Sequence, residues 1–201
     1  MSSERPPPLV VLAGPSGAGK TTIVDRLLAT TELPIRRAIT ATSRPPRAGE
    51  VDGVHYHFWT PDEFERKIAA GEMLEHAYVH GNQHYGTPLS EVTAARSAGM
   101  AVILVIDVQG AEQVRRLRPE GLVTVFLAPP QFDDLAERLR KRGDGDESIR
   151  RRLETAIVES ARTGEFQHVL VNADVDLAVR DLERIIAAEF SQTGSSSCSS
   201  S

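Results

Sequence analysis

Leu9-Val10-Val11-Leu12-Ala13-Gly14-Pro15-Ser16-Gly17-Ala18-Gly19-Lys20-Thr21-Thr22 decides how this chain is read. Five apolar residues predict a short buried strand, glycines follow, and Lys20 to Ala29 shows helical spacing through Ile23, Leu27 and Leu28. The order is strand, tight loop, helix. Gly14, Gly19, Lys20 and Thr21 fit G-x-x-x-x-G-K-[ST]. Glycines let such a loop curl until its backbone N–H groups point at phosphate oxygens. The helix that follows offers its positive N-terminus to the same anion. Lys20 can reach β- and γ-phosphates, and the Thr21 hydroxyl can bind Mg²⁺. The alternative is a glycine-rich turn before a helix. The buried strand on one side and the helix on the other favour the cradle.

The rest of the chain continues the alternation. Ile35 to Ala41 and Val54 to Trp59 are expected as strands, separated by a Pro/Arg/Gly loop from Ser43 to Gly53. The second alternates His55 and His57 against Tyr56 and Phe58. Pro61 begins a helix over Asp62 to Ala70, and Met73 to Val79 is a further strand. Pro88 opens a helix that ends near Gly99. Ala101 to Ile106 is a continuous apolar run ending in Asp107, which suits a central parallel strand. Gly110 to Leu117 is helical, Val123 to Leu127 a strand, Phe132 to Arg142 and Ser148 to Thr163 helices. Val169 to Val171 is a last strand and Leu177 to Phe190 a last helix. This predicts an α/β fold, a parallel sheet flanked by helices with right-handed crossovers. The expected layout is a lead-in at 1–8, a core at 9–39 and 89–190, a partly antiparallel insertion at 40–88, and a serine-rich, disordered tail at 191–201.

Composition narrows the function classes. The 201 residues are 40% hydrophobic and only 5% aromatic, so the core is built of Leu, Val, Ile and Ala. With 23 basic and 28 acidic residues the net charge is −5, and a protein that grips nucleic acid is usually basic overall. The one cysteine, Cys198, lies in the tail and permits no disulfide within the chain. Met1 to Pro8 has no signal-like apolar core, and no run reaches the ~18 residues of a membrane span. The expectation is a cytoplasmic protein, a monomer or homodimer, engaging neither nucleic acid nor membrane.

Three further features bear on chemistry. Asp107 ends an apolar strand, where a carboxylate could sit beside Mg²⁺ or cap the next helix. The loop Thr40 to Glu50 carries Arg44 and Arg47, fork-shaped donors suited to phosphate, with Tyr56 and Tyr85 able to add hydroxyls. It also reads as an exposed polar hairpin. Arg138, Arg140, Lys141, Arg142, Arg150, Arg151 and Arg152 flank an acidic hinge at Gly143 to Glu147. They make either a flap that closes over a triphosphate or a solvated helical face. His55, His57, His76, His80 and His84 crowd one region, but without the spacing of a zinc site. Neither a usable cysteine nor a Ser/His/Asp arrangement points to covalent catalysis.

Taken together the sequence resembles the guanylate kinases, from about Leu9 to Phe190. The resemblance rests on GPSGAGKTT at Gly14 to Thr22, TSRPPRAGEVDGVHYHF at Thr42 to Phe58, LEHA at Leu74 to Ala77, and HYGTP at His84 to Pro88. IDVQGA at Ile106 to Ala111, LAPP at Leu127 to Pro130, ERLRKRG at Glu137 to Gly143 and VNAD at Val171 to Asp174 extend it. It implies transfer of the γ-phosphoryl of ATP to GMP with Mg²⁺, a step of purine nucleotide metabolism, by a core, a GMP-binding insertion and an Arg-rich lid at about 138–155. It implies ATP contacts from Gly14, Pro15, Ser16, Gly17, Ala18, Gly19, Lys20, Thr21 and Thr22, with Asn172 near adenine. Arg44, Arg47, Tyr56 and Tyr85 match residues that hold the GMP phosphate, and Thr40, Glu75 and Thr87 those that read guanine. Glu50 and Asp107 complete the implied GMP site, and Thr21 with Asp107 the implied metal position. Lys20, Arg44, Arg138, Arg142 and Arg152 are the implied catalytic residues. Three departures stand out. Val105 replaces a usual acidic residue, Gly81 to Tyr85 is one residue longer than usual, and Gly143 to Glu147 is about one shorter. Two other readings share these features: a non-catalytic domain of similar fold, and the same chemistry on another phosphorylated acceptor.

Overall fold

The computed structural model describes residues 5–79, 83–131, 135–137, 140 and 145–194. Its centre is a five-stranded, wholly parallel sheet. β1 (Leu9–Ala13) lies in the middle, between β7 (Ala101–Val105) and β8 (Leu122–Ala128), with β2 (Ile35–Arg37) and β9 (His168–Val171) at the edges. All five residues of β1 are buried, as a strand covered on both faces requires.

One sheet face packs Val10, Leu12, Ile103, Val125 and Leu127 against Ile23 and Leu27 of α1 (Lys20–Thr30). Leu182 and Ile186 of α6 (Val175–Gly194) complete that layer. The other face packs Val11, Val102, Leu104 and Phe126 against α3 (Leu89–Ser97) and α4 (Val108–Leu117). Each fully buried Leu, Ile or Val side chain contributes about 1.5–3 kcal/mol. Because every core strand runs the same way, the loops after β1 and β7 open at one edge, with Leu12 beside Val105 in register. That edge is where open α/β sheets bind ligands.

A second sheet has the order β4-β3-β6-β5, from β3 (Ala41–Thr42), β4 (His57–Phe58), β5 (Met73–Val79) and β6 (Gln83–Pro88). β3 and β4 are parallel and the other pairs antiparallel. α2 (Pro61–Ala69) is capped by Thr60, whose hydroxyl accepts from the Glu63 N–H at 3.2 Å, with Pro61 pre-set for the first turn. Two links fasten this sheet to the core. The Gln113 side-chain amide of α4 exchanges two hydrogen bonds with the backbone of His76. Glu91 of α3 accepts from Arg36 at 2.6 Å and from the Ile39 N–H at 3.3 Å, and contacts His57 Nε2 at 3.0 Å.

Several sequence expectations are corrected here. The strand expected over Ile35 to Ala41 stops at Arg37, because the chain leaves β7 there and crosses to the second sheet. The strand expected over Val54 to Trp59 shrinks to two residues. Val51 to Tyr56 is instead a turn, with the His55 N–H donating to Val51 O and the Gly53 N–H to Tyr56 O. His55 and His57 therefore do not share a strand face, and His55 Nδ1 accepts from the Val51 N–H at 3.0 Å. β6 has no counterpart in the sequence reading. Gly86 is required in it, since a Cβ there would meet Glu75 O at 2.5 Å. The last helix runs four residues past Phe190, into the stretch read as tail. α5 (Asp146–Ser160) begins two residues before Ser148. Among the described residues no helix is long and apolar enough to cross a membrane.

Candidate active site

The loop between β1 and α1 is shaped by its glycines. Gly14, at φ 145°, lies so close to β8 that a Cβ would stand 2.3 Å from Leu127 O. Gly19, at φ 97°, begins α1 from the left-handed region, where it supplies no side-chain cap. Gly19 brings no side-chain oxygen of its own to the first turn of α1, and the N–H groups of a helix's first turn are where an anion is received. Lys20 folds back across the loop, its Nζ donating to the Gly14 and Pro15 carbonyls at 2.5 and 3.0 Å.

A cavity of about 410 Å³ opens in front of this loop. Ser16, Lys20, Thr21 and Asp107 border it on the core side, and Thr40, Tyr56, Glu75 and Tyr85 on the other. Asp107 both borders the cavity and caps α4, accepting from the Gly110 N–H at 2.7 Å. Its two sequence readings are thus compatible. Val105, half-buried, forms part of the wall.

Glu75 is the buried carboxylate of the site, 4% exposed. Burial pushes its carboxyl up to about 7, the nearby Asp107 charge adds to the rise, and the hydrogen bond from Thr87 opposes it. Thr87, itself fully buried, donates to Glu75 Oε1 at 2.7 Å, so it acts on Glu75 and does not line the cavity. Arg44 is 6% exposed, with its guanidinium centre 5.1 Å from the Tyr56 ring. Its Nη1 and Nη2 donate to the two oxygens of Glu50 at 2.6 Å each, and its Nε donates to the Tyr85 hydroxyl at 3.1 Å. The hydrogen bonds from Arg44 hold the Glu50 carboxyl down at about 2, with help from the Arg47 N–H. Tyr85 sits opposite Thr42 and Ala77, which fixes its register.

Not every sequence candidate converges. Neither Arg44, which is buried, nor Arg47, which is exposed, belongs to the cavity lining. Glu50 is turned to Arg44. Arg152 of α5 reaches the loop, donating to Ser16 Oγ at 2.9 Å. Asn172 is buried against the loop. Arg138 and Arg142, with Gly143 and Asp144 of the acidic hinge, lie outside the described residues. Two participants were not singled out in the sequence. Arg37 borders the cavity from the end of β2. Glu159 lies on α5 near Lys20 and Asp107, and burial pushes its carboxyl up to about 7, with Lys20 opposing. Its spacing of seven from Arg152 places the two on one helix face, a signal readable beforehand.

A glycine-rich loop leading into a helix and a buried carboxylate thus border one cavity. The family model described as guanylate kinase matches residues 6–189. The chain belongs to the guanylate kinase family. Guanylate kinase of Corynebacterium diphtheriae is 50% identical to it over 180 residues, 89% of this chain and 93% of that one. Guanylate kinase of Neisseria gonorrhoeae is 48% identical over 189 residues, 94% of this chain and 91% of that one. The crystal structure of guanylate kinase from Anaplasma phagocytophilum matches with a TM-score of 0.74 at 30% identity, covering 92% and 87% of the two chains. As a member of the guanylate kinase family the chain is a nucleoside monophosphate kinase.

Proposed function

We infer that this enzyme transfers the γ-phosphoryl group of ATP to GMP, giving ADP and GDP. The observation that carries the reading is the single cavity bordered by Lys20 and Thr21 on one side and by Glu75, Tyr56 and Tyr85 on the other. In this reading it is where the γ-phosphate of ATP meets the phosphate of GMP.

The loop from Gly14 to Thr22 holds the ATP phosphates through backbone N–H groups and Lys20. Tyr56 and Tyr85 receive the GMP phosphate, with Arg44 behind them through its hydrogen bond to Tyr85 and Arg47 joining from outside the cavity. Glu75, steadied by Thr87, accepts from guanine N1–H and the 2-amino group, a donor pair that adenine lacks. Thr40 adds a hydroxyl on the same wall. Thr21 and Asp107 bring a hydroxyl and a carboxylate to one cavity. This oxygen-only set suits Mg²⁺, which keeps several waters and shares phosphate oxygens. Bound there with ATP, Mg²⁺ supplies charge neutralisation at the transferring phosphate. The protein's own part is to hold the two phosphates in line, exclude water and offset equatorial charge through Lys20, Arg44 and Arg152. A strong general base is unnecessary because the acceptor is already an anion. Arg138 and Arg142 belong to the same charge-neutralising set in this reading.

The corresponding division is a core at 9–39 and 89–190, a GMP-binding insertion at 40–88 and a lid at about 138–155. The enzyme acts in the cytoplasm as a monomer or homodimer, and its acidic balance supports nucleotides over nucleic acid as partners. The test is a coupled assay of ADP formation from ATP and Mg²⁺ upon addition of GMP. ADP release must depend on GMP, and Lys20→Ala must lower turnover by orders of magnitude. ATP hydrolysis indifferent to GMP, or full activity in Lys20→Ala, refutes the assignment.

A further inference from the structure

Asn172 follows β9 and is 2% exposed. Its backbone N–H donates to Ala128 O at 2.9 Å, which fixes it just beyond the end of β8. From there its side-chain Nδ2 donates to the Ala18 carbonyl at 2.6 Å, a contact that spans 154 positions of sequence. The same β8 terminus packs on Gly14 through the Leu127 carbonyl. The two ends of the phosphate loop are thus referred to one strand, Gly14 directly and Ala18 through Asn172.

Ala18 stands between Gly17 at φ 89° and Gly19 at φ 97°. Glycines on both sides leave the adjoining peptides freer to rotate than others in the loop. A trans peptide holds its carbonyl and its N–H on opposite sides. Where the Ala18 oxygen is directed, the Gly19 N–H is directed the other way.

We propose that Asn172 is a positioning residue of the phosphate loop: by holding the Ala18 carbonyl outward it presents the Gly19 N–H to a bound phosphate. Its amide nitrogen is engaged by the loop, so through that nitrogen Asn172 acts on the triphosphate by way of the backbone. The inference rests on reading Gly14 to Thr21 as the triphosphate cradle.

The test compares the full chain with Asn172→Ala and with Asn172→Leu, which has nearly the same shape but no donor. Binding of ADP, inorganic tripolyphosphate and GMP is measured by calorimetry, with melting temperature alongside. Tripolyphosphate separates the cradle from the base because it carries no adenine. The proposal expects ADP and tripolyphosphate to weaken by the same factor, roughly ten- to a hundredfold, the loss when a buried carbonyl is left without its donor. GMP affinity stays unchanged. Tripolyphosphate binding equal to that of the unaltered chain overturns the proposal, and if ADP alone weakens, the role of Asn172 is at the adenine. Equal loss of all three ligands together with a lowered melting temperature also overturns it, since the residue then only supports the fold. A different failure is visible in the unaltered chain: if it binds neither ADP nor tripolyphosphate, the cradle reading falls and the inference falls with it.

Discussion

Gly110 leaves the space that the Glu75 carboxylate occupies: a Cβ added at Gly110 would stand 2.8 Å from Glu75 Oε2. The two residues come from different sheets' neighbourhoods, Gly110 from the first turn of α4 and Glu75 from β5. The Glu75 carboxylate, the guanine reader in the proposed function, is thus seated against the core helix that Asp107 caps.

Gly110→Ala tests this contact. The added methyl overlaps the carboxylate and displaces it from the guanine edge. Alanine favours the helix by about 1 kcal/mol over glycine, so the effect belongs to the site and not to helix formation. Steady-state kinetics should show KM for GMP rising about tenfold, the loss of one good hydrogen bond to a charged group, while KM for ATP stays the same.

Glu75 also predicts a pH dependence. Its carboxyl is raised from 4.5 to about 7, chiefly by burial, so folding favours the protonated form. Its contribution to stability is complete below pH 4.5 and is lost as pH rises through about 7. Guanine needs the ionised acceptor, so GMP binding strengthens across the upper part of that window. Calorimetry from about pH 6 to about pH 8 should show tighter GMP binding with rising pH, and Glu75→Gln should bind weakly with no such dependence. The same variant should melt above the unaltered chain at alkaline pH and level with it near pH 4.5.

Arg44→Lys addresses the acceptor phosphate. Arg44 spreads its donors over Glu50 and Tyr85 in a planar fork that an ammonium cannot reproduce. KM for GMP should rise by at least about tenfold with KM for ATP unchanged. Equal rises for both substrates would show that Arg44 supports the fold and not the GMP phosphate.

Arg152→Ala addresses the transferring phosphoryl. Arg152 reaches Ser16 across the mouth of the loop from α5. Its removal should lower kcat by about 10²–10³-fold, the range for deleting one group that stabilises transition-state charge, with KM for GMP nearly constant. A change in KM alone would place Arg152 in ground-state binding.

The parts of this account legible in sequence are those fixed by local physics. The run Leu9 to Ala13, the glycines that follow and the apolar run ending in Asp107 each carry their own signal. The crossing at Ala38 between two sheets leaves no local mark, because Ile35 to Ala41 reads as one apolar-polar run. β6 was hidden by Gly86 and Pro88, which a strand reading penalises but which close packing on Glu75 and the start of α3 require. In the site, residue types were readable but partners were not. The resemblance implies a place for Glu50 at the GMP site, but not that its carboxylate pairs with Arg44. The resemblance implies that Asn172 lies near adenine, but not that its amide reaches a carbonyl 154 positions away. Such pairings depend on which loops the sheet brings to one edge.

The most direct measurement of the central claim is kcat/KM for GMP, AMP, CMP and UMP with ATP and Mg²⁺. A buried carboxylate that accepts from two guanine donors rejects bases lacking them by about 10⁴-fold, and that is the expected preference for GMP over AMP. Comparable kcat/KM for GMP and AMP would contradict the reading of Glu75 and with it the assignment of the acceptor.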